Sequence, residues 1–305
     1  MVKTTIQYAS DLHLDNFPYI TTDDFERFLV PSAPILVLAG DIASAWHPIY
    51  SKFLAWVSRR WQHVILITGN HEYHCEPTPL GAKLRQGTAG ASSSTFRLEE
   101  PTRPYSRLET DKHITAICWK HRNLHFLQKG ATFYLPKTNL VFIGTTLYSA
   151  IDPKIHNEIR HKSDFRNSYT EDKSTGPVHL RFSTPQDFVT LHAQHKQALG
   201  DAIRSVPSRR GFKVIVVTHY MPTEELLEPQ YKQEAWRSCY ASKDDDIIRP
   251  PVSLWICGHS HRQVLYKTRN GIQMAMNARG YNKPHELERM VDKYSPYGRV
   301  SLNYV

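Results

Sequence analysis

Six short apolar runs punctuate this chain: Thr4–Ala9, Ile35–Ala39, Val64–Thr68, Leu140–Thr145, Lys213–Thr218 and Val252–Cys257. Each is four to six residues long, rich in β-branched residues and mostly apolar, the mark of a strand buried on both faces. A further pair, Val264–Thr268 and Ile272–Met276, flanks Arg269-Asn270-Gly271, and Asn-Gly between two apolar runs signals a hairpin. Helical periods lie between the strands. Thr21 and Asp24 form a capping box ahead of Phe25, Phe28 and Leu29. Ile49, Phe53, Trp56 and Val57 share one helical face. Thr184 is an N-cap with Pro185 at the first helical position, and Phe188, Leu191, His195, Leu199 and Ile203 come after it at steps of three or four. Strand and helix in alternation predict an α/β fold whose first half is largely parallel.

The chain has 305 residues, 40% of them apolar, enough for one large α/β unit, and no clean boundary divides it. A single domain spanning 1–305 is expected. Two stretches break the rhythm. Residues 77–111 carry Gly81, Gly87, Gly90 and the run Ala91–Thr95, which reads as a flexible insertion whose tail has room for a short helix. Residues 152–182 are polar and basic, with Lys154, Arg160, Lys162, Arg166, Lys173 and Arg181, an excursion on the substrate side. No apolar run approaches the ~18 residues that span a bilayer, so no membrane partner is expected. The first residues lack a secretory h-region. Cys75, Cys118, Cys239 and Cys257 form no C-x-x-C pair and no disulfide framework. A cytoplasmic setting is therefore expected. The net charge of +9 favours anionic partners without choosing among them.

The residues just past each strand are more informative. Ser10-Asp11-Leu12-His13 succeeds the first run, Gly40-Asp41 the second and Gly69-Asn70-His71-Glu72 the third; His219 and Gly258-His259-Ser260-His261 succeed the fifth and sixth. In open α/β sheets the carboxyl edge is where ligands bind. Imidazole and carboxylate without thiolate suit Zn, Fe or Mn. The set is too large for one ion that keeps a water. It suits two ions about 3.5–4 Å apart sharing a carboxylate and a bridging hydroxide, which clamp the attacking and leaving oxygens at phosphorus.

Taken together, D-x-H, G-D, G-N-H-E, H and G-H-x-H resemble the calcineurin-like metallophosphoesterase superfamily over Asp11 to Tyr281. Phe142–Leu147, Ser163–Arg166 and Asn277–Tyr281 resemble segments of a bacterial-type subgroup. The resemblance implies a four-layer αββα sandwich with a dinuclear site at the strands' carboxyl edge and two divalent metal ions, Mn²⁺, Fe²⁺/Fe³⁺ or Zn²⁺. It implies that Asp11, His13 and His261 hold the first ion, that Asp41 bridges, and that Asn70, His219 and His259 hold the second. His71 then matches the histidine that is not a ligand and faces the leaving-group oxygen, where imidazole can act as the acid. Glu72 reads as structural and His74 as a residue behind the ligands. Trp46 and His47 stand beside the metal edge, as cleft lining or as packing.

The chain departs from the protein phosphatases of that superfamily, whose second motif extends to G-D-x-x-D-R-G. Here it runs Gly40-Asp41-Ile42-Ala43-Ser44-Ala45-Trp46, without the phosphate-gripping arginine. Arg166 or Arg279 is the candidate replacement, since guanidinium offers phosphate a bidentate fork. The expected activity is hydrolysis of phosphate esters on a phosphorylated small-molecule substrate, with diesters at least as good as monoesters. Nucleic acid, and hence a nuclease, is the alternative, and a non-catalytic scaffold of the same fold is the other. The physiological substrate, native metals and oligomeric state are not legible in the sequence.

Overall fold

The computed structural model describes residues 2–17, 19–75, 104–172, 177–207, 211–233, 235–281 and 294–304. Two sheets lie face to face. The first contains β1 (Val2–Ala9), β2 (Ile35–Ala39), β3 (His63–Ile67), β4 (Leu124–Phe126) and β13 (Arg299–Tyr304), in the order β13-β1-β2-β3-β4. β1 to β4 run parallel and β13 pairs antiparallel with β1, Ile6 opposite Val300. The second sheet runs β11-β12-β10-β9-β6-β5. Its members are β5 (Ala131–Tyr134), β6 (Leu140–Thr145), β9 (Lys213–Thr218), β10 (Val252–Cys257), β11 (Gln263–Lys267) and β12 (Gln273–Asn277). All six predicted strands appear within two residues of their expected bounds, and β11 and β12 form the expected antiparallel hairpin.

The period of two explains why these strands read as unbroken apolar runs. In β2, Ile35, Val37 and Ala39 face the second sheet, whereas Leu36 and Leu38 face helix α1 (Pro48–Ser58). In β9, Ile215 and Val217 point between the sheets, and Val214 and Val216 point outward beneath the long helix Pro185–Ser205. Three apolar layers result, one between the sheets and one under the helices on each outer face. This is the four-layer αββα sandwich. The long helix begins as its sequence specifies, with Pro185 at its start and the Thr184 side chain accepting from Asp187 N in a capping box.

The tail of the expected insertion at 77–111 holds a helix start, as allowed for there, but one that packs into the core. Residues 76–103 lie outside the described residues, but Ser106 caps helix α2 (Arg107–Cys118) with Glu109 in a capping box. Thr110 is buried and accepts the Trp46 indole N–H at 3.1 Å, and Asp111 accepts from the Tyr73 hydroxyl at 2.7 Å. Within 152–182 the chain forms short helical turns α3 (His156–Ile159) and α4 (Ser163–Arg166) and a hairpin of β7 (Tyr169–Asp172) with β8 (His179–Phe182). The long helix Pro185–Ser205 is α5. No helix among the described residues is long and apolar enough to cross a membrane.

Candidate metal centre

The polar clusters extend from the carboxyl ends of five strands. Asp11 and His13 come after β1, Asp41 after β2, Asn70 and His71 after β3, His219 after β9, and His259 and His261 after β10. Turning from a strand into a cavity at this edge requires unusual backbone. Asp11, His13, Asp41, His259 and His261 all have positive φ, between 45° and 69°, a region that costs non-glycine residues energy and persists where the surroundings enforce it. Gly40, at φ 85°, lies where a Cβ would press into the His219 ring at 2.8 Å, so only glycine lets the second and fourth motif loops close on one another.

Two groups of ligand-type side chains emerge. Asp11, His13 and His261 form one; Asp41, His219 and His259 form the other, with the donor atoms of each group within 4.8 Å of one another. His13 Nε2 and His261 Nε2 face each other at 3.2 Å, and His219 Nε2 is 3.3 Å from Asp41 Oδ2 and 4.0 Å from Asp11 Oδ1. The outward nitrogens are already committed. His219 Nδ1 donates to Ala39 O at 2.8 Å and His259 Nε2 to Cys239 O at 3.3 Å, which leaves one ring nitrogen of each for a cation, as metal-binding histidines are commonly held. Asn70 Nδ2 donates to Asp164 Oδ1 at 2.8 Å, so its Oδ1 turns toward His219 Nε2, 3.1 Å away. The donor set and its orientation therefore fit two cations.

Charge and burial are balanced within the cluster. Burial raises the Asp11 carboxyl, against the pull of His219 and His261. Burial also opposes ionisation of Asp41, but His219 beside it takes that carboxyl well below the carboxylate range. Burial would neutralise His219, yet Asp41 and Asp11 push it up to about 10. His13 falls well below its ordinary value and His259 falls to about 4, burial being the chief cause in both.

His71 lies outside both groups. Its Nε2 is 3.1 Å from Asp15 Oδ2, and its Nδ1 is buried without a hydrogen-bond partner. Despite burial, the Asp15 carboxylate pushes His71 up to about 9. Asp15 in turn accepts from Ser44 N at 3.0 Å. Glu72 clasps three backbone amides, of Gly69 at 2.7 Å, Ile42 at 2.8 Å and Asp41 at 3.0 Å. It fastens the second and third motif loops together.

The remaining candidates divide. His74 is buried with Nε2 3.4 Å from Asp164 Oδ1, behind Asn70. Trp46 is sandwiched between Tyr105 at 3.6 Å and His113 at 4.0 Å, and His47 Nδ1 accepts from Ile49 N to cap α1. Both are thus occupied in packing and capping. Arg279 lies over the rings of Phe17 and Phe28, 4.4 and 4.7 Å from their centroids. Arg166 is exposed on the turn that carries Asp164. Sequence reasoning assigned no role to three residues. Asp15 lies two positions past His13, a spacing open to inspection, whereas the contacts of Asp164 and Tyr281 are made across the fold.

The comparisons agree with this geometry. The calcineurin-like phosphoesterase family matches residues 5–263. An uncharacterised protein of Acanthamoeba polyphaga mimivirus is 23% identical over 98% of this chain and 96% of its own. The crystal structure of the phosphopantetheinyl hydrolase of Mycobacterium tuberculosis has the same fold, with TM-score 0.63 at 17% identity over 97% of this chain and 95% of that one. With that family matching residues 5–263 and two groups of ligand-type side chains at one sheet edge, the chain belongs to the calcineurin-like phosphoesterases, metal-dependent hydrolases of phosphoric esters.

Proposed function

We propose that the protein hydrolyses small phosphate esters, with phosphodiesters at least as good as monoesters. Asp11, His13 and His261 hold one divalent cation, Asn70, His219 and His259 hold the other, and Asp41 is shared. When bound, the cations supply Lewis acidity toward the phosphoryl oxygens and an activated water. Carboxylate, imidazole and amide oxygen together suit Mn²⁺, Fe²⁺/Fe³⁺ or Zn²⁺. The observation that carries this reading is the pair of three-residue groups, in which His219 and His259 have their outward nitrogens on backbone carbonyls.

The chain's own contribution begins at His71. Asp15 holds its Nε2 and so fixes the ring, which is the acid proposed for the leaving oxygen. Glu72 keeps Asp41 and Asn70 in register through the backbone amides around them. Diester competence is consistent with the missing arginine of the second motif, because a monoanionic diester needs less neutralisation than a dianionic monoester. Arg279 is committed to two phenyl rings, so Arg166 is the guanidinium available to grip the remainder of an anionic substrate.

The test is metal analysis after reconstitution with Mn²⁺, and then turnover of bis-p-nitrophenyl phosphate and p-nitrophenyl phosphate. Two ions per chain and comparable kcat/KM values are expected. One ion, or a monoester preference above roughly a hundredfold, about 2.7 kcal/mol of differential transition-state binding, overturns the reading.

A further inference from the structure

The segment Asn277–Tyr281 is zipped onto the first motif. Ser10 N donates to Asn277 O at 3.1 Å, Arg279 N to Ser10 O at 3.1 Å and Gly280 N to Asp11 O at 3.0 Å. Asn277 Nδ2 adds bonds to Tyr8 O and Ser295 O, 2.9 and 2.8 Å. Gly280, at φ 75°, lies where a Cβ would approach His261 to 3.1 Å, so a residue with a side chain there would be strained and would crowd His261. The outcome is the placement of Tyr281. Its ring stacks on His13 at 4.1 Å and 25°, and meets His261 edge-on at 4.7 Å.

This placement has a direction. His71 meets the same His13 ring edge-on, with centroids 4.8 Å apart at 83°. Tyr281 and His71 therefore flank one imidazole of the first ligand group. His13 is fully buried, whereas Tyr281 is 36% exposed, so part of its surface is open to a ligand. We propose that Tyr281 is a specificity residue, the apolar wall against which the leaving group of the ester packs as His71 protonates it. This role rests on His71 lying on the leaving-group side, as the proposed function has it. It favours substrates whose leaving group offers a flat or apolar face, since ring-on-ring contact adds free energy beyond the area it buries.

The experiment is calorimetric titration of the metal-loaded protein with phenylphosphonate and with methylphosphonate, alongside metal analysis of every variant. In Tyr281→Ala, affinity for phenylphosphonate should fall roughly tenfold, the scale of one aromatic pair. Methylphosphonate affinity and the two bound ions should be retained, and Tyr281→Phe should behave as the parent protein. In kinetics the same Ala variant should raise KM for aryl esters and leave KM for methyl esters unchanged. Should Tyr281→Ala fail to fold, Tyr281→Leu keeps the apolar bulk without the ring and should show the same selective loss. Equal weakening of both phosphonates, or loss of an ion from these variants, would overturn the proposal and reduce Tyr281 to a prop for His13. Parent protein that binds neither phosphonate nor two ions overturns the underlying site assignment instead, so the two failures are distinguishable.

Discussion

Along β2, Ile35 to Ala39 are apolar, extended and buried between a helix and the opposite sheet. Two residues beyond the strand, Asp41 stands at φ 55° with its carboxylate buried beside His219. Strand body and strand end are thus a few residues apart and differ in what they tolerate. In the body, volume and apolarity decide, and a similar side chain can take over with modest loss. At the end, individual atoms decide, because each carboxylate and ring nitrogen has its own assigned neighbours. The strained backbone there is held by the rigid body behind it.

Breaking the end should cost function without cost to the fold. Asp41→Asn removes the shared charge and is expected to lower kcat/KM by at least ~10³-fold, several kcal/mol of transition-state stabilisation. It should also release one or both ions while circular dichroism stays native. Retention of both ions and activity would remove Asp41 from the centre of the site. His71→Ala should keep both ions and lower kcat by ~10²–10⁴-fold, less for p-nitrophenol than for alkyl leaving groups. Equal losses for the two leaving groups would contradict a role as acid.

Breaking the body should do the reverse. Phe142 is fully buried between the sheets, and Phe142→Ala is expected to cost about 3–5 kcal/mol of stability. Denaturant titration measures that loss, and kcat of the folded fraction should be unchanged; a specific fall in kcat would show that body and end are not separable. The smallest effect belongs to the start of α5. Arg181 and the Thr184 cap hold Asp187 below the carboxylate range, outweighing its burial. Asp187→Ala should cost about 1 kcal/mol near neutrality, as cap losses do. A depressed folded pKa means that the contribution is present above the unfolded value of ~3.9 and is lost as pH falls through the folded one. The stability gap between parent and variant should therefore narrow in acid, and a gap constant down to pH ~2 would exclude the carboxylate as its source.

The two regions also differed in how legible they were. Strand bodies announced themselves because burial on both faces forces long β-branched runs, and the α5 start because capping chemistry is local. Asp11, His13, Asp41 and His219 stood out because each comes at the end of such a run. Asp164 was hidden because its partners Asn70 and His74 lie about ninety residues away in the chain. The segment Asn277–Tyr281 was recognisable, but the role of Tyr281 was not, because its stacking on His13 is made across the fold. Ser106 to Asp111 were placed in the tail of an insertion with room for a short helix, but the capping box that starts that helix went unread because the Gly- and Ser-rich stretch before it dominated.

The layering has a consequence for the order in which a ribosome releases this chain. The buried members of the layer beneath α1 and α2 all lie between Ala9 and Leu124, whereas those beneath α5, Tyr73 apart, lie between Val141 and Met276. The first half-sandwich can gather around its own apolar residues while the second is still being translated. Asp11 and Asp41 have then been synthesised, but His219, His259 and His261 have not emerged, nor has the Asn277–Gly280 strap that bonds to Ser10 and Asp11. Each ligand group draws from both halves, so neither can be assembled by a nascent chain until the two sheets meet. Hydrolytic competence is in this sense a property of docking, withheld from every shorter intermediate of synthesis.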